Sequence, residues 1–397
     1  MTSIATSTNT NNNKATNEPL PHPTKEHIDN CQFHKWYNLH QNIKKCTIRS
    51  IIIPMSKQFV KYLNEDGIKL PKVPNGVTVS PFDPRHEKPI ADDDEWNDYE
   101  DDDKEEEEDT FNYCFPEFED KINKAIKKLG GKVFVKTNWS SPRDAKWVSG
   151  TLECQTPGEI YLLLKSSDFI SYDLSHAYDL VQETDNNNNN NNNDGKKEML
   201  LTMNNNIDAK KTTQEEENLI TTTTKSKEEE DSTLYLVLRK WGNLYPSQEF
   251  RCFVKQNKLI MTTQRDPTKC YPFLVNQKNK YKPLVETFFD EYILNIFPDE
   301  NYSFDIYIDR KNRIWLLDFN VYSRATDALL FTWDKILKFN VVVDEKNHEQ
   351  HEFRIVMDES QVKSSQLTMH KVPAEFVNNP KNFIEEFVDK YRNGEIE

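Results

Sequence analysis

Asp318 and Asn320 close the apolar run WLLDFN with one residue between them. In a strand, residues so spaced point to the same face. The segment before them, FDIYIDRKN, reads as the other arm of a hairpin turning at Lys311-Asn312. Centred there, the arms pair Ile308 with Trp315, Ile306 with Leu317 and Asp305 with Asp318. Directly opposed residues have Cβ atoms about 4.5–5.5 Å apart, so the two carboxylates repel. A shared proton or a cation relieves that repulsion. With the Asn320 carbonyl, the set is two carboxylates and an amide, all hard oxygen donors. Mg²⁺ takes one or two carboxylates and completes its shell with water and phosphate oxygens, so these donors suit it. A polar strand end without a ligand is the alternative.

The strands that must face such a site carry cations. Lys136 ends VFVK, and Arg239 and Lys240 end LYLVLRK. A lysine at that place either snorkels to solvent or neutralises a buried anion. A further hairpin, EFRCFVKQNKLIMTTQRD, turns at Gln256-Asn257 and pairs Arg251 with Thr262 and Glu249 with Gln264. Glu249 and Arg251 share one face, while Phe250, Cys252 and Val254 take the core face; Arg265 lies just beyond. An ordinary surface ion pair is the other reading of Glu249 and Arg251. Together the cation-tipped strands and the acid-tipped hairpin suit a phosphate–metal complex. Neither a Walker pattern nor G-x-G-x-x-G is present, which excludes P-loop and Rossmann sites. The histidines show no catalytic or ligand spacing.

The elements around these residues read as α+β with mainly antiparallel strands. Ile48 to Ile53 reads as a strand, followed by a helix through Phe59, Tyr62 and Leu63. A helix over 111–130 is closed by Gly130 and Gly131. KVFVKT is a strand, NWSSPRDAKW a loop and EIYLLLK (159–165) a further strand. A helix from Lys282 to Ile296 has Leu284, Phe288, Tyr292 and Ile296 on one stripe. Two more helices are read in DALLFTWDKILKF and, near the C-terminus, PKNFIEEFVDKYR.

Net charge is −15, and most of it is local. Asp92–Asp109 holds fourteen acids and one lysine, which leaves the rest near −2. No basic face argues for nucleic acid. Eight consecutive asparagines, Asn186–Asn193, mark a polar insertion whose deletion should change neither stability nor ligand binding. Six scattered cysteines without a C-x-x-C pair argue against a zinc site or a disulfide scaffold. There is no apolar leader and no run of membrane-spanning length, so a cytoplasmic protein without a membrane partner is expected.

A strand ending in lysine, a polar loop, a hinge strand, a Glu-bearing hairpin, then Asp and D-x-N resembles the ATP-grasp nucleotide site. Within that superfamily the chain resembles the cell division cycle protein 123 family. The matching stretches are KTNWSSPRDAKW, LVLRKW, EFRCFV, QRD, FDIYID, WLLDFN and TDALLFTW, with CQFHKWY and IIIPMSKQFVKYLNEDGI before them. The resemblance covers about residues 28–340. It implies an ATP-grasp-like fold of two lobes enclosing a nucleotide cleft. Lys136 would meet the α- and β-phosphates. The loop NWSSPRDA lacks the glycines of related phosphate loops, so Asn138, Ser140, Ser141 and Arg143 would supply donors instead, with Trp139 and Asp144 as further candidates for contact with ATP. Arg239, Lys240 and Trp241 match the hinge that meets adenine, and Glu249 the carboxylate on the ribose. Arg251 and Arg265 would lie near the phosphates. Asp305, Asp318 and Asn320 match the magnesium ligands.

On that basis residues 1–27 are read as a disordered N-terminus, 28–90 as the N-terminal part of the ATP-grasp-like domain and 91–110 as an acidic loop. The first nucleotide lobe is 111–182, a disordered Asn-rich insertion 183–232, the hinge and metal-binding lobe 233–340, and a C-terminal region with a helix 341–397. The resemblance implies a monomeric assembly chaperone, with ATP and Mg²⁺ as cofactors. Its partner would be the gamma subunit of eukaryotic translation initiation factor two. A carboxylate–amine ligase working through an acylphosphate is the alternative, and a scaffold without nucleotide a third reading. Asp318→Ala is expected to leave the fold largely intact, to remove magnesium-dependent ATP affinity and to relieve the repulsion with Asp305.

Overall fold

The strand Tyr235–Lys240 is apolar on both faces, and the fold is organised around it. The computed structural model describes residues 22–86, 112–181, 234–342 and 350–363. The acidic run, the asparagine-rich insertion, most of the N-terminal segment and the C-terminal helix expected over 380–392 lie outside these residues. In chain order the elements are α1 (Lys25–Asn30), α2 (Phe33–Leu39), α3 (Gln41–Cys46), β1 (Ser50–Pro54), α4 (Lys57–Asn64), α5 (Pro116–Leu129), β2 (Val133–Lys136), α6 (Lys146–Ser149), α7 (Pro157–Lys165) and α8 (Asp168–His176). They continue with β3 (Tyr235–Lys240), β4 (Glu249–Lys255), β5 (Lys258–Gln264), α9 (Pro272–Tyr292), β6 (Tyr302–Ile308), β7 (Ile314–Val321), α10 (Trp333–Leu337) and β8 (Glu352–Arg354).

Two sheets result. The first has the order β1-β3-β2 and is antiparallel; the second has the order β7-β6-β4-β5-β8 and is antiparallel except for the short β8. Alternation along β3 sorts its side chains. Leu236 and Leu238 face a core with Ile122, Ile126, Tyr161 and Leu164, whereas Val237 faces the core of the second sheet. Strand β2 follows the same rule. Val133 and Val135 join the first core, so Lys136 turns to the face of Val237, its cross-strand partner. A lysine at this parity points into the junction of the sheets rather than to solvent.

Local signals explain several helices. Pro116 opens α5, and Gly130 ends it in the left-handed conformation at φ 100°. The expected strand over 159–165 is instead helix α7. Thr156 and Glu159 form a reciprocal capping box, and Pro157 stands at the first turn. Its continuous apolar run is that of a helix buried around most of its surface, which periodicity alone cannot separate from a buried strand. Helix α9 begins ten residues before the expected Lys282 and carries Pro283 within it. The helix expected across DALLFTWDKILKF is confined to Trp333–Leu337, capped by Thr332. Among the described residues, no helix is long and apolar enough to cross a membrane.

Both hairpins turn where expected, with Gln256, Asn257 and Asn312 at positive φ. Each then contains a bulge that the simple pairing misses. In β4–β5 the register shifts between Phe253 and Val254, so Arg251 lies opposite Thr263 rather than Thr262, and Gln264 faces Phe250 rather than Glu249. In β6–β7, Ile308 pairs with Ile314 and Ile306 with Leu316, each one residue from expectation. A shift between Asp305 and Ile306 leaves Leu317 as the extra residue, and beyond it Asp305 faces Asp318. Without this bulge Asp318 would follow Ile314 and Leu316 onto the apolar face. One inserted residue therefore turns Asp318 and Asn320 to the side of Asp305.

Candidate functional site

The bulge has a built partner. Arg239 projects from β3 on the same face as Val237 and donates from Nη1 to Leu317 O at 2.7 Å. Its Nη2 donates to Thr47 Oγ1 at 3.2 Å, and Thr47 Oγ1 in turn donates to Leu316 O at 2.6 Å. The guanidinium also lies 5.1 Å from the Phe33 ring centroid. Burial lowers its pKa to about 10. Arg239 thus ties the first sheet to the irregular stretch of edge strand β7.

Lys136 stands beside it, 1% exposed, and donates to Asp318 Oδ2 at 2.7 Å. Phe33 covers it, with the ring centroid 5.0 Å from Nζ. Burial holds the Lys136 pKa below its ordinary value, and Asp318 works against that shift. The lysine neutralises an anion rather than snorkelling.

Asp305 is held more completely. Arg251 donates to both of its oxygens, Nε to Oδ1 at 2.8 Å and Nη2 to Oδ2 at 2.9 Å. Arg265 adds Nε to Oδ2 at 3.1 Å. Burial works to raise the Asp305 pKa, but the two guanidiniums outweigh it and hold the carboxyl well below the usual carboxylate range. Mutual repulsion between Asp305 and Asp318 is therefore offset by three protein cations, where the sequence pointed to a shared proton or a metal. The Asp318→Ala expectation changes with it, because that substitution strands a buried lysine.

Around this pair, Arg143 reaches across to Glu249 of β4, with Nη2 to Oε2 at 3.3 Å. Asn320 lies opposite Ser303. The Asn320 Nδ2 and Ser303 Oγ atoms are both buried with no hydrogen-bond partner. Turned over, the Asn320 amide puts its oxygen where that nitrogen stands. Five cations (Lys136, Arg143, Arg239, Arg251, Arg265) gather with three carboxylates (Glu249, Asp305, Asp318), and Asp173 and Asp327 lie close enough to act on Lys136 and Arg265, so the cluster is balanced. Its guanidinium forks still suit a polyphosphate whose charge a divalent cation offsets. Among the described residues, no group of three or more His, Cys, Asp or Glu side chains could hold a metal by itself. A cation here would rely on Asp318, Asn320 and non-protein oxygens.

The remaining candidates have other employment. Asn138 donates to Gln32 Oε1 at 2.8 Å and accepts from Tyr235 N at 2.7 Å. Trp139 donates from Nε1 to Ile28 O. Asp144 accepts from Ser167 Oγ and Phe169 N at the start of α8. The N–H groups of Lys240 and Trp241 donate to Arg49 O and Lys132 O. A nucleotide base at this hinge would have to use the carbonyls. Ser141 sits in the loop, its carbonyl accepting from Arg143 N. Sequence reasoning missed Phe33, Thr47 and Ser303, which no local pattern marks. It also missed Asp173, which accepts hydrogen bonds from Thr137 and Ser140 of the loop.

The chain is similar to known proteins over most of its length. The D123 family profile matches residues 36–379. A translation initiation factor eIF2 assembly protein of Xenopus tropicalis is 36% identical over 362 residues, spanning 89% of this chain and 91% of that one. One from Ajellomyces capsulatus is 37% identical, spanning 88% and 76%. A cell division cycle protein 123 from Aspergillus terreus is 36% identical, spanning 81% and 65%. Among solved structures, Cdc123 from Schizosaccharomyces pombe is similar with a TM-score of 0.56 and 30% identity, covering 84% of this chain and 98% of that one.

Proposed function

The chain belongs to the D123 family, and from that premise we propose that it is an ATP- and magnesium-binding assembly protein of eukaryotic translation initiation factor two that docks the gamma subunit of that factor. Its fold is ATP-grasp-like, α+β with mainly antiparallel sheets. The assembly role is supported by the names of relatives that align over most of the chain. The nucleotide reading is supported by one observation above others. Lys136 of one sheet and Asp318 of the other meet at 2.7 Å inside a dense cluster of cations and carboxylates. In this reading Lys136, Arg143 and Arg265 hold phosphate oxygens, and Arg251 keeps Asp305 ionised and in place. Asp318 and Asn320 hold magnesium, which when bound screens the phosphate charge. Asp305 joins them only by releasing an arginine. Glu249 is placed to take the ribose hydroxyls once Arg143 turns to phosphate.

ATP acts here as an ordering ligand that bridges the two sheets, so a partner touching both meets a fixed surface. Coupling of this kind amounts to about 1–3 kcal/mol and is reciprocal. Affinity for the isolated gamma subunit, measured with and without Mg-ATP, tests the proposal. Tighter binding with nucleotide is expected. Equal values would refute the coupling, and absence of binding in both would refute the partner. A ligase would need a further basic pocket for its carboxylate substrate, beyond the cations that hold phosphate in this reading.

A further inference from the structure

The loop after Lys136 has no glycine, yet it must hold a defined shape if it is to meet phosphate. Its order comes from outside. Asp173, in α8, is buried and accepts three hydrogen bonds from the loop: Ser140 N at 2.7 Å, Ser140 Oγ at 2.8 Å and Thr137 Oγ1 at 2.9 Å. These bonds close the turn in which Thr137 N donates to Ser140 O at 2.9 Å. The far end of the loop returns the favour to the same helix. Asp144 accepts from Ser167 Oγ at 2.6 Å and from Phe169 N at 3.2 Å. Ser167 is itself the N-cap of α8. Ser141, Pro142 and Arg143 lie between these two anchors, and Arg143 reaches from there to Glu249 of the opposite sheet.

We infer that Asp173 is a positioning residue for the nucleotide site: it fixes the 137–144 loop so that Ser141 and Arg143 are presented to the phosphates, in place of a glycine-built cradle. The inference rests on the nucleotide reading above. A backbone cradle uses glycine to bring amides close to phosphate. Here the turn is stapled by a carboxylate behind it, leaving the exposed side of the loop to side-chain donors. Asp173 does not touch the ligand; it acts through Ser140 and Thr137.

Asp173→Asn tests this, because an amide retains the shape but sets an N–H₂ group against donors. In titration calorimetry with the full chain and Mg²⁺, ATP should bind at least tenfold more weakly, while AMP, which lacks the outer phosphates, should change by less than twofold. Ser140→Ala removes one of the three bonds to Asp173, that from the hydroxyl, and should show a smaller loss for ATP alone. Amide hydrogen exchange across the loop in the nucleotide-free protein should accelerate at least tenfold in Asp173→Asn. Equal weakening of ATP and AMP, or unchanged ATP affinity, would overturn the inference, as would unchanged exchange at Ser140. Failure of the unaltered chain to bind either nucleotide would instead refute the nucleotide reading, and the exchange measurement would still decide whether Asp173 holds the loop.

Discussion

Asp318→Ala should destabilise the protein rather than relieve it. The substitution removes the carboxylate 2.7 Å from Lys136 Nζ and leaves an ammonium group that is almost wholly buried. At an effective dielectric of about 20 the attraction across that distance is about 6 kcal/mol before solvation is counted. Breaking a buried pair costs about 3–5 kcal/mol in practice, because the survivor is left uncompensated. The Asp318 side chain keeps 22% exposure, so the lower end, about 3 kcal/mol, is expected. With an unfolding entropy of about 2.1 cal/mol/K per residue, that corresponds to a melting temperature roughly 4–6 °C lower. The pH dependence has a definite sign. Burial already holds the Lys136 pKa below its ordinary value, and loss of Asp318 takes it lower. A base whose folded pKa is depressed lends more stability as pH rises from that value toward its unfolded one. The deficit of Asp318→Ala should therefore be largest at neutral pH and below, and narrow as pH climbs toward 10. In a Lys136→Met background, Asp318→Ala should cost little. Thermal melts of the four variants decide the matter. An unchanged melting temperature in Asp318→Ala, or the same loss in the Lys136→Met background, would refute the reasoning.

Arg239→Lys keeps a positive charge but cannot span both Leu317 O and Thr47 Oγ1. It should lower stability by about 2 kcal/mol, read by chemical denaturation; no loss would show that the bulge holds itself. Gly158→Ala would place a Cβ 2.1 Å from Asp83 Oδ1, in a carboxylate that binds Arg85 and the Gly158 amide. Overpacking there should cost about 1–3 kcal/mol or more, and a neutral effect in the same assay would contradict it. Burial raises the Asp173 pKa to about 6, against hydrogen bonds from Ser140 and Thr137 and the nearby charge of Lys136. An acid with a raised folded pKa makes stability fall as pH rises through the window between its two values, here about 4 to 6. Asp173→Asn should remove that slope from a stability–pH profile, and an identical profile would count against the burial account.

The parts of this site set by alternation were legible in the sequence, and those set by irregularity were not. Lys136 at the end of VFVK and Arg239 at the end of LYLVLR stood out as cations tipping apolar strands, while the choice for Lys136 between solvent and a buried anion was set by the packing of the two sheets. Asp318 and Asn320 share a face by alternation. The pairing of Asp305 with Asp318 was reached through the wrong register near the turn, and the bulge at Leu317 restored it. No sequence pattern announces that bulge, because its cost is met by Arg239 from another sheet. Helix α7 was read as a strand because its apolar run is too short for period to decide. The capping box at Thr156 and Glu159 was the available signal. The saturation of Asp305 by Arg251 and Arg265 is a matter of three strands meeting, beyond the reach of local spacing.

The central claim is that the junction of the two sheets takes up Mg-ATP through Asp318 and Asn320. Asn320→Ala is the cleanest probe, because the Asn320 Nδ2 has no partner to lose. Calorimetric titration of ATP into the unaltered chain should show one saturable site in the presence of Mg²⁺ and much weaker binding with the metal chelated. Asn320→Ala should lose most of the magnesium dependence while melting as the unaltered chain does. ATP affinity that is the same with and without Mg²⁺, or unaffected by Asn320→Ala, would contradict the account.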